Sequence, residues 1–352
     1  MNEYVPKINL RRSLLIVVLV LAIAVLAGRL LKPELFSQMF EAIRNANHLL
    51  IGLAIASFAC AVAVWTVRWR IALRSVGDGT PEPRFATLFW TIWSAIFLNN
   101  VTPFLRTGGD PFGRVYLVRK LGNVKYSTAV AATLGEHVFD PPIVVAFLLV
   151  GLFLQFGRGS FRLTMLLLVV GALVVSVMVI SPRFILKKMI GVRLIGNIVT
   201  RIAGRFVKHA NAQRIVEAIE LFYSNTFAIV GRRREGLSIG GLTGLMWALD
   251  LLRLYIILRA LGGDPSIAVL LTASSLSTMM GLLSILPGGL VAVEGSLISV
   301  FVLFGIPLDI ATAATLIERG ISFALSSIVG AGAFFYLGVK ISEKKRLSLE
   351  TE

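Results

Sequence analysis

The chain has 352 residues, of which 56% are apolar and 15% charged, against about 25% charged in an ordinary soluble domain. That composition excludes a soluble globular protein. The formal net charge of +16 would suggest nucleic acid in a soluble chain, but here Lys and Arg fall between long apolar runs. They report topology and an anionic lipid surface, and no nucleic-acid partner is expected.

In chain order, apolar spans are predicted at about 13–31, 49–67, 85–101, 127–156, 163–181, 237–258, 267–304 and 310–338. Residues 1–31 pair a basic start (Lys7, Arg11, Arg12) with an apolar stretch. No small-x-small cleavage site precedes a polar region, so they are expected to be an uncleaved first helix. The region 85–121 breaks at Asn99, Asn100, Pro103, Gly108, Gly109 and Pro111, and the region 267–304 breaks at Pro287, Gly288 and Gly289; each reads as a re-entrant helical hairpin. Cys60, the only cysteine, lies inside an apolar run and forms no intrachain disulfide.

Basic residues set the orientation. The segment 182–235 holds eleven of them, from Arg183 to Arg234, and the tail adds Lys340, Lys344, Lys345 and Arg346. Placing both in the cytoplasm with the N-terminus makes 68–84 (Arg68, Arg70, Arg74, Arg84) and 114–125 (Arg114, Arg119, Lys120, Lys125) cytoplasmic loops. The expectation is an all-α, multi-pass protein of the cell membrane with about six full spans, two re-entrant hairpins and both termini cytoplasmic. It forms one membrane domain over 1–352.

An internal repeat divides that domain. AVAATLGEH at 129–137 and ATAATLIER at 311–319 share six of nine residues. Upstream of each lies a proline followed seven residues later by an acid, Pro103 with Asp110 and Pro287 with Glu294. Repeat one covers approximately 13–156 and repeat two approximately 163–338, with the basic segment 182–235 included in the latter. The assigned topology makes the repeats inverted, an architecture that places transporter sites at the membrane midplane.

Six acids lie in or beside apolar spans: Asp110, Glu136, Asp140, Asp250, Glu294 and Glu318. An ionised side chain at a helix centre costs about 2.5–3.5 kcal/mol on insertion scales, so each must be paired, protonated or facing water. Glu136 and Asp140, four apart, share a helix face and demand a proton or a cation from elsewhere. Pro141 and Pro142 leave the carbonyls of His137 and Val138 without helical donors. Asp250 and Arg253 are spaced to pair within their own helix. Glu318 and Arg319 point about 100° apart, so each needs a partner on another element.

At the first hairpin tip, Gly108 and Gly109 permit a tight turn, Asp110 is placed as an N-cap and Pro111 suits the first helical position. The second tip repeats the pattern at Pro287, Gly288 and Gly289. Helix N-termini attract phosphate and carboxylate, and Arg106 and Arg114 flank the first, so an anionic headgroup is the expected ligand. The substrate-binding set is Asn99, Asn100, Pro103, Arg106, Gly108, Gly109, Asp110, Arg114, Pro287, Gly288 and Gly289. Glu136, His137, Asp140, Glu294, Glu318 and Arg319 would set cavity charge or carry a coupling proton. The sequence holds no Walker A lysine motif, G-x-S-x-G or H-E-x-x-H, so no catalytic residue, metal or cofactor is expected.

NNVTPFLRTGGDPFGR at 99–114, EHVFD at 136–140, LPGGLVAVE at 286–294 and ER at 318–319 resemble, over about 45–340, the flippase-like membrane family named after the transmembrane region of lysylphosphatidylglycerol synthase. In that family the first motif commonly has Glu after the glycines and the second commonly reads Glu-Arg, so Asp110 and His137 depart from it. The resemblance implies movement of a lipid between leaflets, in the best-understood members an aminoacylated phosphatidylglycerol. Those members carry a soluble aminoacyl-transfer domain after the membrane region. The last apolar span here ends near residue 338, so lipid aminoacylation is not expected. Other relatives occur beside glycosylation and cell-envelope genes, which leaves a membrane subunit assisting an envelope-lipid enzyme as the alternative expectation.

Overall fold

The computed structural model describes residues 33–76, 83–102, 113–156, 233–284 and 286–350. These are helical, with no strand among them. The first span, the span at 163–181, nearly all of the basic segment and the first hairpin tip (Pro103, Arg106, Gly108, Gly109 and Asp110) lie outside the described residues.

Helix α1 (Pro33–Arg44) leads into α2 (His48–Val76), whose start is capped by Asn47: its Oδ1 accepts from the backbone N–H of Leu49 and Leu50 at 3.0 and 3.3 Å. Then come α3 (Phe85–Val101), α4 (Arg114–Gly122), α5 (Tyr126–Glu136), a 3₁₀ turn at His137–Phe139 and α6 (Asp140–Phe156). The second half comprises α7 (Arg233–Ala260), α8 (Ile267–Leu283), a 3₁₀ turn at Pro287–Gly289, α9 (Ala292–Leu303), α10 (Leu308–Arg319), a π-helical turn at Gly320–Leu325 and α11 (Ser326–Glu350).

Four stretches are long and apolar enough to cross a membrane: His48–Val76, Tyr126–Gln155, Arg234–Ala260 and Leu308–Ser342. Phe85–Val101, Ile267–Leu283 and Pro287–Leu303 are apolar but shorter. The chain is therefore an integral, multi-pass, all-helical membrane protein. Pro141 and Pro142 fall in the first turn of α6, where no backbone donor is needed. The expectation that the His137 carbonyl lacks a helical donor is corrected, since the Asp140 N–H reaches it across the 3₁₀ turn.

Helices α2 and α7 form the central pair and run antiparallel: Phe58 lies against Arg253, and Arg68 against Thr243. Lipid tails are as apolar as leucine, so association here rests on close approach and hydrogen bonding. The buried face of α2 accordingly carries Ala54, Ser57, Ala61 and Ala72, and Ser57 Oγ donates to the Leu249 carbonyl at 2.8 Å. Leu49, Leu53 and Ile55 are exposed on the same helix, the composition of a lipid-facing side. Helices α3 and α11 make a second antiparallel pair. A Cβ on Gly330 would lie 2.3 Å from the Trp93 carbonyl oxygen, so only glycine permits that approach. Helices α8 and α9 pack together as a helical hairpin, with Pro287–Gly289 at its tip.

Candidate functional site

Two charged networks are built on the central pair. The first gathers at the α5–α6 junction. Arg68 of α2, Arg114 of α4 and Glu136 of α5 all have fully buried side chains. Arg114 donates from Nη1 and Nη2 to Glu136 Oε1 at 2.7 and 2.6 Å, and Trp65 Nε1 donates to the same oxygen at 2.9 Å. Arg68 Nε stands 3.4 Å from Glu136 Oε2, and its Nη1 donates to Asp140 Oδ1 at 2.9 Å and to Thr243 Oγ1 at 3.1 Å. His137 Nδ1 lies 2.7 Å from Asp140 Oδ2. The Arg114 guanidinium sits 4.5 Å over the Trp69 ring and 5.2 Å over that of Trp65. Arg114 on Glu136 and Arg68 bridging Glu136 and Asp140 are therefore the cations that the Glu136/Asp140 pair demanded.

The second network repeats the plan from the other helix of the pair. Arg253 of α7 grips Glu318 of α10 through Nε–Oε2 at 2.8 Å and Nη2–Oε1 at 2.9 Å, a bidentate pairing, and reaches Asp250 Oδ1 at 2.6 Å. Phe58 of α2 lies 5.1 Å from its guanidinium. Arg319, turned away from Glu318, donates from Nε to Glu294 Oε1 at 2.6 Å and from Nη2 to the Gly288 carbonyl at 2.9 Å. It thus ties α10 to both the tip and the second arm of the α8–α9 hairpin.

That tip is seated against the end of α3. Gly288 has φ 61°, and a Cβ there would meet Phe323 at 2.3 Å and the Asn100 carbonyl oxygen at 3.3 Å. The Asn100 amide donates to the Phe323 carbonyl at 3.3 Å and to Ser326 Oγ and Ser327 Oγ at 3.1 and 2.9 Å. The Phe323 carbonyl belongs to the π-helical turn, where the regular ladder is interrupted. Pro287, Gly288 and Gly289 are all buried.

Of the residues singled out by sequence, the structure joins Arg114, Glu136, His137 and Asp140 in one network and Gly288, Glu294 and Arg319 in another, with Glu318 on Arg253 beside it. Asn100 serves the α3–α11 contact. One assignment is corrected. Arg68 and Arg114, counted as loop charges, are buried in helices, because each finds a carboxylate contributed by α5. Asp250 and Arg253 pair within their own helix as the spacing predicts, and Arg253 reaches Glu318 as well. Sequence reasoning missed Trp65, Trp69, Thr243 and the role of Arg68. The run WTVRWR at 65–70, an arginine between tryptophans inside a continuing apolar helix, carried that signal.

Residues 13–330 match the family described as the lysylphosphatidylglycerol synthase TM region. A UPF0104 membrane protein of Methanothermobacter thermautotrophicus is 29% identical, covering 87% of this chain and 91% of the relative. One from Pyrococcus horikoshii is 25% identical, over 79% and 84% respectively. A glycosyltransferase, AglD, of Haloferax volcanii is 24% identical over 98% of this chain, which spans 57% of that protein. With a match from residue 13 to 330, the chain belongs to the lysylphosphatidylglycerol synthase transmembrane-region family of integral membrane proteins.

Proposed function

We propose that the protein moves an anionic or zwitterionic lipid, a phospholipid or a polyprenyl-phosphate carrier, between the leaflets of the cell membrane. It does so without catalysing a covalent step. The observation that carries this reading is the pair of charged networks inside membrane-length helices, one of them holding a buried hairpin tip. Ionisable groups at that depth are costly and mark pathways. Among the described residues, Arg68 Nη2 and Glu294 Oε2 are buried without a hydrogen-bond partner, which leaves each network capacity for a ligand.

The full architecture of this proposal has six spans, two re-entrant hairpins, cytoplasmic termini and inverted repeats. The central pair supports it. Arg68 of α2 takes Glu136 of its own half and touches α7, while Arg253 of α7 takes Glu318 of its own half and touches α2. Such reciprocity is what a two-fold axis in the membrane plane produces. Arg106, Arg114 and the hairpin N-termini then hold the lipid phosphate, and Glu136, Asp140, Glu294 and Glu318 set the cavity charge.

The test uses liposomes carrying trace fluorescent lipids of several headgroups and an impermeant reductant. Wild-type protein should allow bleaching beyond the outer-leaflet half. Arg106→Glu should abolish this while leaving the folded yield intact, and normal translocation by that variant sinks the proposal. The similarity to the Haloferax glycosyltransferase favours a second reading, a non-transporting membrane subunit that presents lipid to an envelope-lipid enzyme. Co-purification of such an enzyme with a protein inert in liposomes would select it.

A further inference from the structure

The fully buried Arg68 guanidinium spends Nη1 on Asp140 and Thr243, while among the described residues its Nη2 has no hydrogen-bond partner. A buried guanidinium N–H left over in this way calls for an acceptor, and the face of α7 beside it has room for one. At about 100° per residue, Thr243, Trp247, Gly240 and Gly244 share an arc of about 100° on that helix. Thr243 meets Arg68, Trp247 Nε1 lies 3.4 Å from Asp140 Oδ1, and a Cβ on Gly240 would stand 3.6 Å from the Phe139 ring. A Cβ on Gly244, on the same arc, would meet nothing within 4 Å. Among the described residues this leaves an opening along α7 beside the His137–Asp140 turn, with Arg68 at its inner end. We infer that Arg68 holds the phosphate of a membrane lipid that enters through this opening.

Arginine presents its N–H groups in a planar fork that matches phosphate oxygens, so the spare Nη2 selects an oxyanion over a neutral acceptor. Asp140 is the group that yields. It is 19% exposed, whereas Glu136 is fully buried, and His137 Nδ1 lies 2.7 Å from its Oδ2. Asp140 therefore keeps a partner when Arg68 turns to a phosphate. Glu136 stays closed under Arg114 and Trp65 throughout. The approach decides that the phosphate belongs to a lipid. Arg68 lies well inside the end of α2, about 12 Å along the axis. Exposed Leu237 and Leu245 of α7 lie on the outer side of the opening. Acyl chains pack on such leucines, whereas a free phosphate ion would have to cross that apolar belt without its hydration.

The inference rests on the reading that the first network meets a lipid, and it is tested on binding rather than on movement. The experiment is native mass spectrometry of the delipidated full-length protein in mild detergent, titrated with phosphatidylglycerol, diacylglycerol of the same chains or inorganic phosphate. Wild type should bind phosphatidylglycerol in preference to diacylglycerol. Gly244→Phe fills the opening without touching a charge and should weaken that binding roughly tenfold or more, the loss expected for a charge-assisted hydrogen bond. Gly332→Phe, set in open space on α11, should leave it unchanged. Asp140→Asn removes the carboxylate that competes for Arg68 and should tighten binding, a gain that no folding defect mimics. Equal binding by Gly244→Phe and wild type, equal affinity for the two lipids, no tightening in Asp140→Asn, or displacement of lipid by inorganic phosphate at the lipid's own concentration would each overturn the inference. Binding that depends on Gly244 in a protein that moves no lipid in liposomes would keep this site and sink translocation, whereas translocation unaffected by Gly244→Phe would do the reverse.

Discussion

Arg253 provides the sharpest test of how charge is held inside this bundle. It is one guanidinium shared by two carboxylates, and its side chain is 6% exposed, against 10% for Glu318 and 35% for Asp250. Arg253→Met keeps most of the volume and leaves both carboxylates without their cation. Removing one partner from a buried ion pair costs about 3–5 kcal/mol. The partial exposure of Asp250 lets solvent or headgroups screen its share, so the lower end of that range applies. Glu318→Gln is milder: Arg253 keeps Asp250, and the amide oxygen still accepts one hydrogen bond. The loss is that of one charge-assisted bond, about 1.5–3 kcal/mol. In the triple variant Arg253→Met/Glu318→Gln/Asp250→Asn no charge is stranded, and more than half of the single-variant loss should return. Unfolding in mixed micelles with increasing dodecyl sulfate, followed by tryptophan fluorescence, orders the three. The reasoning fails if Arg253→Met is no worse than Glu318→Gln, or if the triple variant is no better than Arg253→Met.

Two further substitutions probe backbone approach and strain. Gly330→Ala would place a methyl 2.3 Å from the Trp93 carbonyl oxygen and 2.7 Å from Phe97 Cβ, so α3 and α11 must separate; a loss of about 1–3 kcal/mol is expected. Gly332→Ala, which meets nothing within 4 Å, is the neutral control in the same thermal-stability assay. Val291, with φ 71° at the base of the hairpin tip, is a β-branched residue in the left-handed region, a conformation that costs about 1–3 kcal/mol. Val291→Gly should therefore match or exceed wild type in melting temperature, since the relief offsets the extra chain entropy of glycine.

The apolar spans among the described residues, the break at Pro287–Gly289 and the need of Glu318 and Arg319 for separate partners were legible in the sequence, because each follows from local spacing. The Arg68 and Arg114 positions were not. Hydropathy treats an arginine at the edge of an apolar run as the start of a loop, yet α2 continues eight residues past Arg68. What keeps Arg68 inside is Glu136, 68 residues away, and Thr243, which is 175 away. Asn100 illustrates the same limit from the other side. Beside a proline break it reads as a ligand group, but the π-helical turn of a helix more than 200 residues distant takes its amide.

The two networks differ in how firmly they are closed, and that difference decides which part of the molecule opens. Glu136 is fully buried, with three hydrogen bonds on Oε1; its Oε2, like that of Glu294, accepts no hydrogen bond but has Arg68 Nε at 3.4 Å. Glu294 is 23% exposed, accepts one bond from Arg319 and keeps Oε2 unsatisfied. Freeing Glu136 breaks three hydrogen bonds to a fully buried carboxylate, two from Arg114 and one from Trp65, whereas freeing Glu294 breaks one to a carboxylate that is 23% exposed, so the α8–α9 hairpin is the cheaper element to move. Local opening with a smaller free-energy cost appears as faster amide exchange. In hydrogen exchange followed by mass spectrometry, Gly289–Gly295 should therefore exchange at least tenfold faster than Ala131–Glu136. A lipid bound at the hairpin should narrow the gap. Slower exchange in the hairpin than in α5 would assign the opening motion to the first half and reverse this account of which ion pair yields.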